Sequence, residues 1–232
     1  MKVAIIGAGN VGTALATALT RAGHKVTITA RDPGNAKKAA EQTGATAAPS
    51  NAAAADQADV VIAAVPATSI GDVAADIREP ARGKPVVDVT NRMAPSDRGL
   101  DMDTTSSNAE ELASMLPASP VVKAFNTLFA SKQADPTTDG VQLDGYVAGD
   151  DEDAKAAVLD LVESIGLRPV DVGPLKRARQ LESLAFLNIA LNAEKGGSWQ
   201  SGWKLVGAPD TVSSDSVSSE TLSSDTAEAG AR

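Results

Sequence analysis

Apolar and polar positions follow two different periods along the first 130 residues. Short apolar runs, bounded by glycine, proline or charged residues, predict buried strands over 2–6, 25–29, 59–65, 85–89 and 121–125. Between these runs, apolar residues at helical spacing predict helices over 10–22, 35–43, 70–78 and 108–116. Strands that are apolar throughout and alternate with helices are typical of a parallel sheet covered on both faces. The pattern therefore predicts a doubly wound α/β domain over residues 1–130.

The pattern changes after Ala130. Residues 131–144 are polar, contain Pro136 and Gly140, and are predicted to form a loop. Beyond them we predict a strand, a helix, a strand and a long helix over 145–148, 151–165, 167–172 and 175–194. The last helix is apolar on nearly every side, which is typical of a helix enclosed by the fold or by a second subunit. Residues 131–209 are therefore expected to form a smaller, mainly helical carboxyl-terminal domain.

Residues 210–232 have a different composition from the rest of the chain. They are mostly Ser, Thr, Asp, Glu and Ala, with five acidic residues and one basic residue. Such a segment buries too little apolar surface to offset the entropy lost on ordering, so we expect a disordered acidic tail.

Composition narrows the possible functions. The 232 residues include 30 acidic and 21 basic ones, a net charge of −9, which disfavours nucleic acid as a partner. The chain has no cysteine and one histidine, His24, which the pattern places in a turn remote from the expected ligand edge. We therefore expect neither a metal site nor a catalytic histidine. With no apolar run long enough to cross a bilayer and no signal-peptide pattern, a cytoplasmic protein is expected.

A glycine motif, Gly-Ala-Gly-Asn-Val-Gly, connects the first strand to the first helix. The first glycine permits a tight turn, the second permits close approach of a pyrophosphate, and the third permits close packing of helix on strand. The helix amino terminus adds free N–H groups and a partial positive charge. This context predicts a Rossmann-type dinucleotide site formed by Gly7, Ala8, Gly9, Asn10, Val11 and Gly12.

The second strand indicates which dinucleotide is bound. Arg31 stands where NAD-binding members of this fold usually have an acidic residue, and a guanidinium suits a 2′-phosphate. The neighbouring Asp32 would oppose a phosphate unless it caps the next helix. We therefore favour NADP over NAD. Further cofactor contacts are expected around this position and at the ends of the later strands, from Ala30, Asn35, Val65, Pro66, Ala67, Asn91, Asn126 and Ala130.

Several blocks of sequence then point to a family. They include Val-Val-Lys-Ala-Phe-Asn-Thr over 121–127, Gly-Leu-Arg-Pro over 166–169 and Leu-Glu-Ser-Leu over 181–184. With the glycine motif, they resemble the coenzyme F-420-dependent NADP oxidoreductases over roughly residues 1–207. The resemblance implies hydride exchange between NADPH and the deazaflavin coenzyme F-420, or a related flavin-like acceptor. It further implies a homodimer formed through the carboxyl-terminal half. It also implies that the family's 2′-phosphate pair, a hydroxyl residue and an arginine, falls on Ala30 and Arg31, and it makes Trp199 and Trp203 candidate pocket walls.

Two other functions are compatible with the same NADP module. One is reduction of another small molecule, such as an imine or a ketone, which needs a proton donor, and Tyr146 and Lys123 are the candidates. The other is a non-catalytic NADP-binding regulator. Hydride transfer between two bound cofactors needs no catalytic side chain, because it depends on the distance and orientation of the two rings.

Overall fold

The computed structural model describes residues 1–96, 99–101 and 105–207, so the predicted tail over 210–232 lies outside the described residues. The strands are β1 (Lys2–Ile6), β2 (Lys25–Thr29), β3 (Thr46–Ala47), β4 (Val60–Ala63), β5 (Val86–Asp88), β6 (Ala94–Ser96), β7 (Gly99–Asp101), β8 (Val121–Lys123), β9 (Thr137–Thr138), β10 (Val141–Gln142), β11 (Asp144–Gly149) and β12 (Arg168–Asp171). The helices are α1 (Asn10–Arg21), α2 (Pro33–Thr43), α3 (Asn51–Gln57), α4 (Ile70–Ile77), α5 (Asn108–Met115), α6 (Ala130–Ala134), α7 (Glu152–Ser164) and α8 (Ala178–Lys195).

Eight of the described strands form one sheet in the order β12-β11-β8-β5-β4-β1-β2-β3. Every neighbouring pair is parallel except β8 and β11, so the predicted Rossmann-type doubly wound fold is confirmed. The antiparallel pair arises because no helix returns the chain across the sheet after β8. The connection instead stays at the carboxyl edge, through α6 and the β9–β10 hairpin, and enters β11 from that edge.

Apolar residues cover both faces of the sheet. Side chains of α1, α2 and α7 pack on one face, against residues such as Ile5 and Ile28. Side chains of α3, α4 and α5 pack on the other face, against Ala4 and Ile6. The outer strands β11 and β12 are covered by α8. Burial on both faces explains why the central strands are continuous apolar runs. Because these strands are parallel, their carboxyl ends lie at one shared edge.

The structure corrects the expected elements between Ala130 and Asp144. This segment is not a loop, because it contains the short helix α6 and the two-stranded β9–β10 hairpin. The hairpin turn consists of Asp139 and Gly140, both with positive φ, which is the turn chemistry that Asp-Gly favours. The short elements β3, α3, β6 and β7 were not predicted, whereas the predicted helices and strands of the first 130 residues differ from the observed ones only at their ends.

Candidate functional site

The loop after β1 needs glycine at two positions because of its backbone alone. Gly7 has a φ of +115°, and a Cβ there would lie 2.1 Å from the carbonyl oxygen of Ala64. Gly12 lies in the first turn of α1, where a Cβ would lie 1.9 Å from the carbonyl oxygen of Gly7. The loop therefore packs tightly against both β4 and its own helix.

Gly9 differs from these two glycines because it faces open space. A Cβ at Gly9 would meet no atom within 4 Å, although this residue is the N-cap of α1. No side chain caps this end of the helix, so the N–H groups of its first turn remain available to a ligand. Open space beside uncapped helix N–H groups fits a pyrophosphate.

A groove of about 490 Å³ runs from this loop between α1 and α2. Five of the predicted cofactor residues line it, namely Ala8, Gly9, Asn10, Asn35 and Ala130. Lys38 also lines the groove and adds a positive charge. Val11 instead packs against the apolar core beneath the loop.

The end of β2 places an exposed arginine beside a hydroxyl group. Arg31 is exposed, and its Nη2 donates to the hydroxyl oxygen of Ser69 at 3.2 Å. Ser69 follows β4, so the Arg31 guanidinium meets a hydroxyl group from a loop that is distant in the sequence. Asp32 caps α2, where its Oδ1 accepts from the backbone N–H of Gly34 at 2.7 Å. The Asp32 carboxylate is therefore engaged by its own helix.

The end of β4 leads into a short 3-10 turn, Ala67–Ser69, which begins after Pro66. Val65 is partly buried and packs against the apolar cluster on the α4 side of the sheet. Pro66 and Ala67 stand at the carboxyl edge of the sheet, as predicted from the strand pattern.

Two asparagines pair across the ends of β5 and β8. Asn126 Nδ2 donates to Asn91 Oδ1 at 2.8 Å, and Asn91 Nδ2 donates to the carbonyl oxygen of Asn126 at 3.3 Å. Asn126 is only 5% exposed, yet its Oδ1 has no hydrogen-bond partner. The preceding residue, Phe125, has a φ of 62°, a conformation that costs energy for a side chain of this size. An unpaired buried oxygen beside a strained residue is typical of a ligand site.

Beneath this asparagine pair lies a buried charge cluster that the sequence analysis missed. Lys123 Nζ lies 2.7 Å from Asp88 Oδ2 and 2.7 Å from Glu182 Oε1, and all three side chains are fully buried. Burial raises the pKa of Glu182, although the Lys123 ammonium opposes this shift. The signal available in the sequence was one charged residue inside each of two apolar strands and another inside an apolar helix.

The two candidate proton donors are both engaged within the protein. Lys123 is held by the two carboxylates of the buried cluster, and Tyr146 donates to Asp144 Oδ2 at 3.1 Å. Burial and the Asp144 carboxylate both raise the pKa of Tyr146, so the phenol keeps its proton.

His24 lies in the turn between α1 and β2, at the amino edge of the sheet. Its Nδ1 lies 3.2 Å from the amino terminus of Met1, and its Nε2 lies 3.0 Å from the hydroxyl oxygen of Ser164. Partial burial and the adjacent ammonium group lower the pKa of His24. The contact with Ser164 connects α7 to the turn between α1 and β2, at the edge of the sheet opposite the glycine loop.

The two tryptophans have different surroundings. Trp199 is 44% exposed, has a φ of 58°, and meets the Phe129 ring edge to face with centroids 5.2 Å apart. Its backbone is held by Ser131, which donates to its carbonyl oxygen, and by Asn192, whose Oδ1 accepts from its N–H. Trp203 is partly buried and packs against the cluster beneath α8. Trp199 is thus the one of the two that presents ring surface next to the loop after β8.

The described residues show neither a metal cluster nor a membrane span. No three His, Asp or Glu side chains among them lie close enough to hold a metal ion. No helix in this part of the chain is both long and apolar enough to cross a bilayer.

The sequence and the fold are similar to those of several known proteins. The family model for NADP oxidoreductase, coenzyme F420-dependent, matches residues 2–92. The F420-dependent NADP reductase of Methanothermobacter thermautotrophicus is 34% identical over 216 residues, covering 83% of this chain and 89% of the relative. The Rattus norvegicus metalloreductase STEAP3 is 32% identical over 79% of this chain, which spans only 36% of that relative's length. The crystal structure of a protein assigned as an F420-dependent NADP reductase, from Arthrobacter sp. FB24, superimposes with a TM-score of 0.78 at 31% identity, covering 85% of this chain and 96% of that one.

Proposed function

Because the chain belongs to the family of coenzyme F420-dependent NADP oxidoreductases, we propose that it transfers a hydride between NADPH and the deazaflavin coenzyme F420. The structural observation that supports NADPH as the hydride donor is the glycine loop, where Gly9 leaves open space beside the uncapped amino end of α1. The choice of coenzyme F420 as the acceptor rests on the family. Reduction of the deazaflavin takes a hydride from NADPH and a proton from solvent, so the reaction balances without another reductant.

The residues around the loop fit NADP. The α1 N–H groups and the space at Gly9 accommodate the pyrophosphate, and Ala8 and Asn10 extend this surface. Arg31 and the Ser69 hydroxyl offer a cation and a donor to a 2′-phosphate, with Lys38 adding charge along the groove.

The nicotinamide end is proposed to lie against the ends of β4, β5 and β8. Pro66 and Ala67 give this edge an apolar surface, and Asn91 and Asn126 give it hydrogen-bonding groups. Trp199 is proposed to provide an aromatic wall for the ring of the acceptor. Both proton-donor candidates are buried and bonded elsewhere, which favours hydride transfer between two cofactors over imine or ketone reduction.

The activity is tested by mixing the purified protein with NADPH and oxidised coenzyme F420 and following the visible absorbance of the deazaflavin. We expect bleaching that depends on both the protein and NADPH. Binding of NADPH without bleaching would instead support a non-catalytic regulator.

Cofactor choice is tested separately with Arg31→Ala. A charge-assisted hydrogen bond to a phosphate predicts that NADPH affinity falls about 10- to 100-fold while NADH affinity is nearly unchanged. Arg78→Ala is the matched control, since Arg78 is an exposed arginine at the end of α4. An equal loss of affinity for both dinucleotides in Arg31→Ala would refute the 2′-phosphate role.

We further propose that the protein is a cytoplasmic homodimer that binds no nucleic acid. Leu187 and Leu191 of α8 are 48% and 46% exposed, and they lie one turn apart on the same face of this apolar helix. A second copy of α8 is a suitable cover for this face. The net charge of −9 opposes binding to a phosphate backbone.

Sedimentation velocity tests the dimer. Leu187→Glu with Leu191→Glu is expected to convert the dimer to a folded monomer, because paired charges then face each other across the helix interface. Val141→Glu is the matched control, since Val141 is 46% exposed but lies on the β9–β10 hairpin. A double variant that still sediments as a dimer would place the interface elsewhere.

A further inference from the structure

The unpaired oxygen of Asn126 requires an explanation. Asn126 is 5% exposed, and a buried acceptor without a donor is costly compared with one that is hydrogen-bonded. This oxygen belongs to a side chain at the carboxyl end of β8, which is the edge where ligands bind in sheets of this kind. The missing partner is therefore expected to be an N–H or O–H group of a ligand.

The orientation of the Asn126 amide is fixed by Asn91. Asn91 Nδ2 donates to the backbone carbonyl of Asn126, which turns Asn91 Oδ1 toward Asn126 Nδ2. Rotating the Asn126 amide by half a turn would bring two oxygens together. Asn126 therefore has to present its oxygen, rather than its NH2 group, to the ligand.

The position of Asn91 is fixed in turn by its two neighbours. The backbone N–H of Arg92 donates to Glu182 Oε2 at 3.0 Å. The Thr90 hydroxyl accepts from Asn108 Nδ2 at 2.8 Å, and its carbonyl oxygen accepts from Lys123 Nζ. Residues 90–92 are thus held on both sides of Asn91 by side chains from other elements.

Glu182 connects this segment to the carboxyl-terminal helix. Its Oε1 accepts from Lys123 Nζ at 2.7 Å and from the backbone N–H of Asn108 at 2.9 Å, while Oε2 is used by Arg92. Because Glu182 and Lys123 are fully buried, removing one acceptor leaves a buried donor without a partner. The contacts run from α8, through residues 90–92, to the asparagine pair.

We propose that Asn126 Oδ1 accepts a hydrogen bond from the carboxamide N–H of the nicotinamide of NADPH, and that Glu182 and Lys123 are positioning residues that orient it through Asn91. This inference rests on the proposed binding of NADP. A primary carboxamide is the ligand group that supplies such a donor at the reactive end of the dinucleotide, and its orientation sets the orientation of the ring.

The test compares NADPH with the 3-acetylpyridine analogue of the same reduced dinucleotide phosphate, in which a methyl ketone replaces the carboxamide. The ketone accepts hydrogen bonds but has no N–H group. The analogue therefore cannot donate the hydrogen bond that is proposed to reach Asn126 Oδ1. Dissociation constants are measured by titration for both compounds. We expect the protein to bind NADPH about tenfold more tightly than the analogue.

Asn126→Ala is expected to bring the ratio of the two dissociation constants close to one. In Glu182→Gln the side chain has a single acceptor oxygen, which cannot accept from both Lys123 and Arg92. We therefore expect the analogue to bind about threefold more weakly than NADPH in this variant. Thr90→Ala, which removes the bond from Asn108, is a milder second variant with the same expected direction. It keeps the positioning role testable if Glu182→Gln does not fold.

Glu110→Gln is the matched control. It breaks the 2.7 Å ion pair with Arg179, which also joins α8 to α5 but does not contact residues 90–92, so the ratio should stay near ten. A ratio of one in the unmodified protein, or an unchanged ratio in Asn126→Ala, would overturn the role of Asn126. An unchanged ratio in both Glu182→Gln and Thr90→Ala, or an equal fall in Glu110→Gln, would overturn the positioning role. Failure of the unmodified protein to bind either compound would instead contradict the proposed function.

Discussion

Alanine is expected to change the stability of the protein at one glycine of the phosphate loop and to leave it nearly unchanged at another. At Gly9 the backbone angles, φ −82° and ψ −170°, suit alanine, and its Cβ would meet no atom within 4 Å. Replacing glycine restricts the unfolded chain and stabilises the protein by about 0.4–1 kcal/mol. Alanine is a poorer N-cap than glycine by about 0.5–1 kcal/mol. The two terms offset, so the free energy of unfolding should change by less than about 0.5 kcal/mol.

At Gly12 the new Cβ would lie 1.9 Å from the carbonyl oxygen of Gly7 and 3.4 Å from the Cβ of Ala64. Carbon and oxygen atoms are in contact at about 3.3 Å, so the helix and the loop would have to separate by more than about 1 Å. Overpacking of this kind costs about 1–3 kcal/mol, and a rigid backbone neighbour favours the upper value. Alanine recovers about 1 kcal/mol of helix propensity, which leaves a net loss of about 2 kcal/mol.

Urea unfolding, followed by tryptophan fluorescence, and NADPH titration measure the two effects separately. Gly9→Ala is expected to keep its stability and to lose at least about tenfold in NADPH affinity, because the methyl group occupies the space proposed for the pyrophosphate. Gly12→Ala should lose both stability and affinity. Gly71→Ala, at an open position in α4, is the control and should leave NADPH affinity unchanged. Unimpaired NADPH binding by Gly9→Ala would refute the assignment of this space to the pyrophosphate.

Two further predictions concern the carboxyl-terminal part. Burial raises the pKa of Asp144, but hydrogen bonds from Arg168 and from the backbone N–H of Leu205 outweigh burial, and the pKa is lowered overall. The ionised Asp144 carboxylate therefore stabilises the fold above about pH 4, and this contribution is lost as the pH falls through the lowered pKa. Asp144→Asn should lower the free energy of unfolding by about 3 kcal/mol at neutral pH, measured by urea unfolding. It should also reduce the dependence of that free energy on pH at acid pH. An unchanged dependence on pH would assign it to other groups. Trp199→Ala should weaken binding of coenzyme F420 at least about threefold and leave NADPH affinity unchanged, because one exposed aromatic face is removed. Fluorescence titration measures both affinities. An F420 affinity equal to that of the unmodified protein would limit the role of Trp199 to packing on Phe129.

The sequence by itself determined the features that depend on neighbours along the chain. Strand and helix periods arise from side chains a few residues apart, so the alternating elements and the doubly wound sheet were predictable. The glycine loop was predictable for the same reason, because Gly7, Gly9 and Gly12 lie within six residues, from the end of β1 to the first turn of α1. The Asp139–Gly140 turn has an equally local signal, because Asp-Gly favours a hairpin turn, although the polar composition of 131–144 predicts a loop.

Only the tertiary structure decided which distant residues share the carboxyl edge. Ser69 comes to Arg31 because β4 and β2 both flank β1, and no local pattern encodes that neighbourhood. Glu182 reaches Lys123 from a helix 59 residues later, in a contact that becomes possible only once α8 packs beside α5. Charged residues inside apolar runs indicated that partners must exist, because buried charge is unstable alone, but the choice of partner depended on strand order and helix packing.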